Sequence, residues 1–524
     1  MNVVFRVDGS PLIGTGHVMR CLTLARALRE AGESCRFICR EHEGDLTARI
    51  REENFEVTKL NNTKATPMIR EGTVSDQNYE SWLGASWQED ATQTIEAIDE
   101  EVALLVVDHY GVDQRWEKAL RPHVSKIMAV DDLANRHHDC DILLDQNLVA
   151  NFQSRYDSLM PSSCIRLLGP EFALLQPEYS KLRATAAPRT EPVRRILISF
   201  GGADRANLTG LSVSAFLKVG RSEIEVDVVI SNDSSHAAQI AYYASLHPNI
   251  HIHHSLPSLA HLILKADLAI GAAGTTSWER CCLGLPSIVV TLAENQKPIA
   301  KELEKRSLVC WIGDSGTVAE REMIDALVSV IERPSLEQWS RRCLSVTDGC
   351  GTTRVAALLM VNAETRLLVR LAELSDEHFL LNLANDSLVR KNAFNSDLIS
   401  SETHKEWFHR RLRDPARSQI FIVEIINGLP IGQVRFERED SGRWEIHYAL
   451  VAYARGRGLA APMLREVFLK VADLLPIQTI FARVKKNNMA SLKVFAALNF
   501  NQTELSDQVV FTKTISSANR KYAH

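Results

Sequence analysis

The sequence lacks the features that mark membrane, secreted and nucleic-acid-binding proteins. Its 524 residues contain no apolar run near the ~18 residues that a membrane-spanning helix requires. The first ten residues hold too short an apolar stretch for a secretory signal. With 60 basic and 65 acidic residues, the chain has no electrostatic reason to bind nucleic acid or an anionic membrane. We therefore expect a cytoplasmic protein with neither kind of partner.

Cysteine pairs at metal-site spacing are also missing. The ten cysteines are scattered, and the one CxxxC pair, Cys35 and Cys39, lies in a strand-like run without a second ligand pair. This usage is typical of buried, reduced thiols in a cytosolic protein. The sequence therefore predicts no metal site.

Short apolar runs alternate with amphipathic helical stretches over the first two thirds of the chain. Strands are predicted at residues 3–7, 34–39, 103–107, 126–130 and 142–144, and, after a proline-containing linker at 184–191, at 195–200, 225–230, 249–253, 268–270, 287–292 and 308–312. Such alternation implies βαβ units and parallel sheets. We expect two doubly wound, Rossmann-like lobes at 1–185 and 190–362, with a ligand cleft outside the carboxyl ends of their strands.

The remaining segment, 365–515, has a different pattern. A strand-like LLVRLAE precedes two helical stretches at 378–384 and 404–412, and three strands at 420–425, 430–437 and 444–451 follow with hairpin turns at 427–428 and 441–442. A helix at 459–471, a strand at 480–484 and a helix at 490–498 complete it. The fold class expected for the chain is α/β: two Rossmann-like lobes followed by an α+β domain.

The first strand leads into a glycine turn, RVDGSPLIGTGHVMR. Gly14 and Gly16 permit close approach of an anionic group, and the helix that begins near His17 points its free amides at the same place. A diphosphate can bind there, and the His17 imidazole can take or give a proton beside it. The spacing is equally compatible with a histidine that only caps the helix.

Two strings in the second lobe have similar character. Gly201 and Gly202 follow a strand in ISFGGAD, and Gly274 and Thr275 lie between a strand and a helix in GAAGTTSWER. Further candidates for binding the nucleotide are Glu279, Asn295 and Gln296, the last two in the stretch AENQ. A carboxylate such as Glu279 can accept both ribose hydroxyls, although a capping box at the helix start explains it more simply.

These strings, with VDHYGVDQRWE, VDDLANRHHDCDILLDQN and LLGPEFALLQPEY, resemble the UDP-2,4-diacetamido-2,4,6-trideoxy-β-L-altropyranose hydrolases, enzymes of GT-B architecture in pseudaminic acid biosynthesis. The resemblance covers about residues 1–360. It implies metal-independent, inverting release of UDP, with His17 as the residue that activates water and Arg20 among the substrate-binding residues. Asp8 is a plausible catalytic helper, and Asp108 and His109 could contact the sugar.

The string YALVAYARGRGLAAPML places a second glycine turn between a strand and a helix. Glycine at such a turn lets a pyrophosphate reach the amides at the helix start, and the two arginines add positive charge. The expected acetyl-CoA-binding residues are Leu450, Val451, Arg455, Gly456, Arg457, Gly458, Leu459, Ala460 and, further on, Asn488.

This segment resembles the GNAT acetyltransferases over about 367–511. The later family block, usually NxxAxxxYxxxGF, departs here at Phe495 and Asn499. Because phenylalanine cannot donate a proton, Tyr448 or Tyr453 is a candidate for protonating the leaving thiolate. Glu445 or His447, which are two apart and share one face of a strand, could serve as the base for the amine.

Together the two resemblances imply a bifunctional enzyme. The C-terminal domain would acetylate the 4-amino group of a UDP-aminosugar with acetyl-CoA, and the N-terminal lobes would hydrolyse the product. Three alternatives stay open: a GT-B glycosyltransferase, a UDP-sugar sensor without activity, and acetylation of a protein instead of a sugar.

Overall fold

The computed structural model describes residues 1–62, 79–98, 101–201, 204–231, 234–254, 256–361, 365–425, 428–474 and 479–514. The chain divides into two compact units, Met1–Ala356 and Ala357–His524. Two parallel sheets form the N-terminal unit, and one mixed sheet forms the C-terminal unit. Gly202, one of the predicted phosphate-binding residues, and Asn427, in a predicted turn, lie outside the described residues.

The first lobe of the N-terminal unit is a parallel sheet in the order β3-β2-β1-β4-β5-β6-β7. Its strands are β1 Asn2–Val7, β2 Ser34–Arg40, β3 Glu56–Leu60, β4 Leu104–Asp108, β5 Ile127–Val130, β6 Ile142–Asp145 and β7 Ile165–Leu168. Its helices are α1 Gly16–Glu30, α2 Thr47–Glu52, α3 Trp87–Glu96, α4 Gln114–Leu120 and α5 Pro177–Arg183. The strand order reverses between β1 and β4, so a crevice is expected outside their carboxyl ends.

The second lobe is a parallel sheet in the order β10-β9-β8-β11-β12-β13. Its strands are β8 Arg195–Ser199, β9 Glu225–Ile230, β10 Ile250–His254, β11 Leu268–Ala272, β12 Ser287–Thr291 and β13 Cys310–Asp314. Its helices are α6 Leu208–Val219, α7 Ala237–Leu246, α8 Ala260–Lys265, α9 Thr276–Cys282, α10 Lys297–Lys305, α11 Glu320–Ile331, α12 Glu337–Leu344 and α13 Gly351–Met360. Here the order reverses between β8 and β11, the strands that precede the two predicted glycine loops.

The C-terminal unit is a mixed sheet in the order β14-β15-β16-β17-β18-β20-β19. Its strands are β14 Leu368–Leu371, β15 Ser418–Ile425, β16 Leu429–Arg438, β17 Trp444–Leu450, β18 Thr479–Lys485, β19 Asn501–Glu504 and β20 Gln508–Thr514. Its helices are α14 Glu377–Ala384, α15 Ser387–Asn392, α16 Ser401–Arg413, α17 Ala460–Leu474 and α18 Met489–Ala497. Neighbouring strands are antiparallel except β17 and β18, which run parallel.

The predicted fold class is confirmed, since two doubly wound parallel sheets precede a mixed α+β sheet. Central strands such as β4 and β12 are buried along their whole length, and continuous apolar runs predict such strands well. The sequence analysis missed β3, β7, β19, β20 and α15. The four strands carry polar or charged residues and are mostly half-exposed or exposed, so their sequences have no uniform apolar run.

The proline-containing linker between the lobes is anchored by one buried arginine. Arg189 donates hydrogen bonds to the carbonyl oxygens of Ile263, Ala266 and Leu283 in the second lobe. Burial lowers the pKa of this guanidinium. The linker is therefore packed onto the second lobe through a charged group whose donors are satisfied by backbone oxygens.

Candidate active sites

The carboxyl ends of β1 and β4 bring His17 and Asp108 together. His17 Nδ1 lies 2.6 Å from Asp108 Oδ1, and Asp108 is the last residue of β4. Burial opposes ionisation of Asp108, but Arg20 and His17 hold the pKa of its carboxyl well below the usual range. An ionised carboxylate only accepts, so Nδ1 carries the proton and Nε2 of the neutral ring is the acceptor.

The free nitrogen of His17 is available to a ligand. No described residue hydrogen-bonds Nε2, and the side chain keeps 10% of its surface exposed. The ring is held edge-on against Tyr110, with ring centroids 4.7 Å apart. His17 is therefore oriented by Asp108 and Tyr110 with its basic nitrogen open, which is the arrangement a general base requires.

Arg20 lies behind this pair, one turn further along α1. Its Nε and a terminal nitrogen each lie 2.6 Å from an Asp108 oxygen, and its other terminal nitrogen is 3.3 Å from Asp132 Oδ2. The guanidinium is 5% exposed. Arg20 therefore holds Asp108 in place, while the sequence analysis predicted a substrate-binding residue. Asp108 is fully buried, so it orients His17 and does not face a sugar.

Asp8 lies beside the same strand ends but in a closed environment. Its Oδ1 accepts hydrogen bonds from Arg6 and the Arg40 backbone, each 2.6 Å away, and its Oδ2 lies 3.4 Å from His109 Nε2. Burial lowers the pKa of His109 to about 4. His109 Nδ1 accepts a hydrogen bond from the Gly111 backbone, so the ring proton is on Nε2. This group is a buried support for the loop that follows β1.

The predicted glycine positions border open space. Gly14 and Gly201 adopt positive φ of 89° and 83°, which explains glycine at both turns. A Cβ placed on Gly14, Gly16 or Gly201 would meet no atom within 4 Å. At Gly274 the nearest atom to such a Cβ would be Gln296 Nε2, 3.6 Å away. The four backbones thus leave room for an anionic group to approach.

Residues from the second lobe reach the first lobe beside His17. Asn295 Nδ2 lies 3.3 Å from the hydroxyl of Tyr110, the ring that packs on His17. Thr275 Oγ1 lies 3.5 Å from Gln146 Nε2, and Trp278 donates a hydrogen bond to Asn147. The loop at Gly274 and Thr275 and the AENQ stretch therefore meet the first lobe at Gln146 and at Tyr110, the ring that packs on His17. The sequence could not indicate Tyr110, Gln146 or Asn147, because their partners are 129 to 185 residues away.

The start of α9 differs from the capping box considered for Glu279. Thr275 at the N-cap makes no side-chain capping bond. Burial raises the pKa of Glu279, and the nearby Tyr179 hydroxyl acts in the opposite direction. Glu279 therefore keeps acceptor sites for a further hydroxyl.

Arg280 is a buried cation beneath the same loop, and the sequence analysis missed it. It donates to the Ala272 carbonyl at 2.8 Å and to the hydroxyls of Ser277 and Thr276 at 3.1 and 3.2 Å. Burial lowers the pKa of the guanidinium, while the charge of the neighbouring Glu279 acts in the opposite direction. A buried guanidinium that no described carboxylate contacts within ion-pair distance favours an anion at the loop above it.

In the C-terminal unit, β17 and β18 separate after two residue pairs. They pair only at Trp444↔Ile480 and Glu445↔Phe481, whereas β17 stays paired with β16 as far as Leu450. The opposite edge of β17 is therefore open from Ile446 onward, and an extended ligand can pair with it. The glycine turn follows at the end of this edge, with positive φ at Gly456 and Gly458.

The two arginines of the glycine turn bind protein groups, where direct contact with a ligand was expected. Arg455 donates to the Leu450 carbonyl at 2.9 Å and to Asp386 at 2.6 Å. Arg457 donates to the carbonyl oxygens of Leu358, in the last turn of α13, and of Val361, just after it; both belong to the C-terminal unit. Both arginines thus shape the turn. Leu450 and Leu459 are buried in the core, so only their backbones can contact acetyl-CoA.

Glu445 and His447 lie on the same face of β17, as their spacing predicts, and the neighbouring strand β16 continues that face. This polar sheet face consists of Gln433, Arg435, Glu437, Glu445 and His447. Burial opposes the charge of Glu445, but His447 and Arg483 lower the pKa of its carboxyl to about 2, which makes it a weak base. His447 Nε2 has no hydrogen-bond partner and lies 3.6 Å from Glu445 Oε2. Of the two, His447 is the better candidate for a base.

With Arg411 and Arg483, which pair with its two glutamates, the polar sheet face brings three arginines against two carboxylates. Arg435 and Arg411 share Glu437, at 3.4 and 3.0 Å, as their only described ion-pair partner. The Nε atoms of both arginines are buried without a hydrogen-bond partner. Arg435 also lies over the Trp407 ring, 5.0 Å from its centroid. This face can therefore take an anionic ligand.

Tyr448 points to the opposite face, toward α18. Its hydroxyl donates to Ser491 Oγ at 3.1 Å, and Asn488 Nδ2 donates to the same oxygen at 3.0 Å. Asn488 is the N-cap of α18. Asn499 has φ of 57°, so an asparagine adopts the left-handed conformation at the position that the GNAT pattern gives to glycine. The departure at 499 therefore keeps the backbone conformation.

Two kinds of feature are absent from the described residues. No described helix is both long and apolar enough to cross a bilayer. No group of three or more His, Cys, Asp or Glu among the described side chains is arranged to hold a metal ion.

Comparison with known proteins shows that part of each unit is similar to an enzyme family. Residues 196–341 match the glycosyltransferase family 28 C-terminal domain, and residues 366–501 match the acetyltransferase (GNAT) domain. The UDP-2,4-diacetamido-2,4,6-trideoxy-β-L-altropyranose hydrolase of Campylobacter jejuni is 27% identical over 307 residues, which are 58% of this chain and 97% of that protein. The chain therefore joins a nucleotide-sugar hydrolase homologue to a GNAT acetyltransferase domain.

Two further proteins are similar over longer stretches. An uncharacterized protein of Methanocaldococcus jannaschii is 22% identical over 515 residues, which are 96% of this chain and 97% of that protein. The crystal structure of Acinetobacter baumannii MurG superposes with a TM-score of 0.48 at 14% identity, over 68% of this chain and 99% of that one.

Proposed function

We propose that the chain acetylates a UDP-aminosugar and then hydrolyses the product, in pseudaminic acid biosynthesis. The C-terminal unit transfers acetyl from acetyl-CoA to the 4-amino group of the precursor sugar nucleotide. The N-terminal unit hydrolyses UDP-2,4-diacetamido-2,4,6-trideoxy-β-L-altropyranose with inversion and without a metal. The substrate comes from the name of the Campylobacter jejuni relative and from the sequence resemblance.

One observation carries the hydrolase half: Asp108 holds the His17 imidazole at Nδ1, and no described residue hydrogen-bonds Nε2 of the partly exposed ring. In this tautomer Nε2 takes a proton from water as the water attacks the anomeric carbon, and Asp108 stabilises the imidazolium that forms. The backbones at Gly14, Gly16 and Gly201 leave room for the diphosphate, whose charge the nearby helix starts stabilise. Asn295 and Gln296, beside Tyr110 and Gly274, are in reach of the same ligand.

The acceptor of the acetyl group is inferred from the polar sheet face. Three arginines, Arg411, Arg435 and Arg483, meet only the two carboxylates of Glu437 and Glu445 on this face. Such a face favours an acceptor that carries negative charge, as a nucleotide diphosphate does, and disfavours polyamines. Trp407, beneath Arg435, can pack against a planar base. This supports a nucleotide sugar as the acceptor.

Acetyl transfer needs a base for the amine and a site for the thioester. Acetyl-CoA supplies the activated acyl carbon, and the residues present fit it: the edge of β17 is open beyond Glu445, and Gly456 leaves space at the turn before α17. His447, with an unpartnered Nε2 on the polar sheet face, takes the proton of the attacking amine. Glu445, paired with Arg483, orients His447.

The test is mass spectrometry of the reaction mixture with the full chain. Acetyl-CoA and the UDP-aminosugar are expected to yield first an acetylated sugar nucleotide, then UDP and free sugar. The His17→Ala variant should stop at the acetylated nucleotide while binding UDP normally, and the exposed His123→Ala should behave like the wild type. A His17→Ala variant that still releases UDP would contradict the proposed mechanism.

A second candidate function is transfer of the sugar to an acceptor other than water. The match of residues 196–341 to a glycosyltransferase domain favours it. Incubation with the diacetamido UDP-sugar alone separates the two functions. UDP release without any acceptor supports the hydrolase, and UDP release only after an acceptor is added supports the transferase.

A further inference from the structure

In the C-terminal unit, the hydrogen-bonded hydroxyls of Tyr448 and Ser491 leave one proton without a protein acceptor. Ser491 Oγ accepts hydrogen bonds from Tyr448 at 3.1 Å and from Asn488 Nδ2 at 3.0 Å. The direction of the Asn488 bond is defined, because Asn488 Oδ1 already accepts the Ser491 backbone N–H. Two incoming donors occupy both lone pairs of the serine oxygen. The hydroxyl proton of Ser491 therefore points elsewhere, and no described residue accepts it.

This pair lies at the opening between β17 and β18. Glu445 is the last residue of β17 that pairs with β18, and Tyr448 comes three residues later along the open edge. Ser491 lies in the first turn of α18, which follows β18, so the hydrogen bond joins the two sides of the opening. Ser491 is partly exposed. Its hydroxyl proton is therefore available to an extended ligand that pairs with β17 at this opening.

The Tyr453 phenol and the Phe495 ring, also near the opening, have no proton to donate to a ligand there. The Tyr453 hydroxyl donates to the Pro430 carbonyl at 2.8 Å. Phe495, one turn after Ser491 on the same face of α18, contacts Tyr448 edge to face with ring centroids 5.7 Å apart. Burial raises the pKa of Tyr448, which keeps its proton in place at neutral pH. Among the described residues, Ser491 backed by Tyr448 is thus the hydroxyl donor on this side.

We propose that Ser491 donates the proton that the thiolate takes when acetyl is transferred, with Tyr448 and Asn488 as positioning residues. The inference rests on the proposed acetyltransferase function. As the C–N bond forms, His447 takes one proton from the amine. The C–S bond breaks with its electron pair left on sulfur, sulfur takes the Ser491 proton, and Tyr448 replaces that proton. Return of the His447 proton through solvent to Tyr448 restores the enzyme.

The kinetic test compares substitutions in the full chain. Ser491→Ala should lower kcat for acetylation about 10²-fold or more, the usual contribution of general acid catalysis, with little change in KM for acetyl-CoA. Ser491→Thr keeps the hydroxyl and should recover most of that loss. Tyr448→Phe should lower kcat less than Ser491→Ala. Thr503→Ala, on the exposed strand β19, is the control and should match the wild type. An unchanged kcat in Ser491→Ala overturns the proposal.

A binding test separates this inference from the acetyltransferase function itself. Free CoA is titrated with the full chain, and its thiolate is followed by ultraviolet absorbance as pH rises. A hydrogen bond from Ser491 stabilises the thiolate, so the thiol bound to the wild type should ionise at lower pH than the thiol bound to Ser491→Ala. Identical titrations in the two proteins overturn the role of Ser491. A wild-type chain that binds no CoA overturns the acetyltransferase function.

Discussion

At the residue scale, two histidines of the first lobe have opposite tautomers because of the group at Nδ1. The Asp108 carboxylate accepts from His17 Nδ1, which leaves a lone pair on Nε2. The Gly111 backbone donates to His109 Nδ1, which leaves a proton on Nε2. Only the first of these rings can act as a base toward a ligand. A histidine at either position could thus act as a base, but the group that hydrogen-bonds its Nδ1 decides whether Nε2 has a free lone pair.

Asp108→Asn is expected to disable His17 without removing it. The amide can donate to Nδ1, which moves the ring proton to Nε2 and blocks the base, and the imidazolium loses its carboxylate. We expect kcat for UDP release to fall about 10²–10⁴-fold, with a smaller change in KM. Steady-state kinetics with the diacetamido UDP-sugar measure this. Asp157→Asn, at an exposed carboxylate, is the matched control, and equal kinetics of the two variants would contradict the role of Asp108.

A second residue-scale prediction separates His447 from Glu445. His447→Gln removes the proposed base and should lower kcat for acetylation by about 10²-fold. Glu445→Gln keeps the base but breaks the pairs with His447 and Arg483, so a smaller loss of kcat is expected. The pH dependence of kcat/KM provides the second readout: the acidic limb, where the base becomes protonated, should persist in Glu445→Gln. A larger loss in Glu445→Gln than in His447→Gln would reverse the assignment.

At the element scale, Arg280 determines the shape of the turn between β11 and α9. Its guanidinium ties the Ala272 carbonyl at the strand end to the hydroxyls of Thr276 and Ser277 in the first turn of the helix. A Cβ on Gly271 would lie 2.4 Å from the Ser199 carbonyl oxygen and 3.0 Å from Arg280 Nη1. Glycine and arginine are thus required together for the strands to pack closely.

Arg280→Met should weaken UDP binding more than it slows hydrolysis. Loss of charged hydrogen bonds worth roughly 1.5–3 kcal/mol loosens the turn, and the buried positive charge beneath the diphosphate disappears. We expect Kd for UDP to rise about 10- to 100-fold by calorimetry. Arg321→Met, on the exposed face of α11, should leave UDP binding unchanged. Similar UDP affinity in both variants would show that Arg280 has only a packing role.

At the scale of the whole molecule, buried ionisable groups couple stability to pH. His109 is fully buried, with Asp8, Arg6, Asp90 and His17 as the charged or titratable groups around it. Its pKa falls from the ordinary 6.5 to about 4 in the folded protein. Protonation therefore favours the unfolded state. The stability contributed by the neutral ring is complete above pH 6.5 and is lost as pH falls from 6.5 toward 4.

His109→Asn tests this coupling, because asparagine can accept the Gly111 hydrogen bond but does not titrate. The variant should be less stable than the wild type at pH 7.5, since the smaller side chain leaves a cavity. Between pH 6.5 and 4.5 the wild type should lose about 2–3 kcal/mol more than the variant. Hydrogen exchange of the β1 and β4 amides, compared at matched pH, reports the N-terminal unit alone. Parallel losses in both proteins would refute the coupling.

The sequence by itself determined the fold class and the polypeptide segments that carry chemistry. Buried parallel strands need continuous apolar runs, and turns with positive φ need glycine, so both leave a local record at sites such as Gly14, Gly201 and Gly458. The same local record indicated His17 and the shared face of Glu445 and His447. Short polar strands at sheet edges left no such record and were missed.

Only the tertiary structure decided what each candidate side chain does. Arg20, Arg455 and Arg457 bind protein groups, Asp108 orients His17, and Ser491 joins Tyr448 and Asn488. Partners such as His17 and Asp108 are 91 residues apart in the chain. The direction of a hydrogen bond and the tautomer of a ring depend on which strand ends meet in space, and sequence spacing carries no information about that.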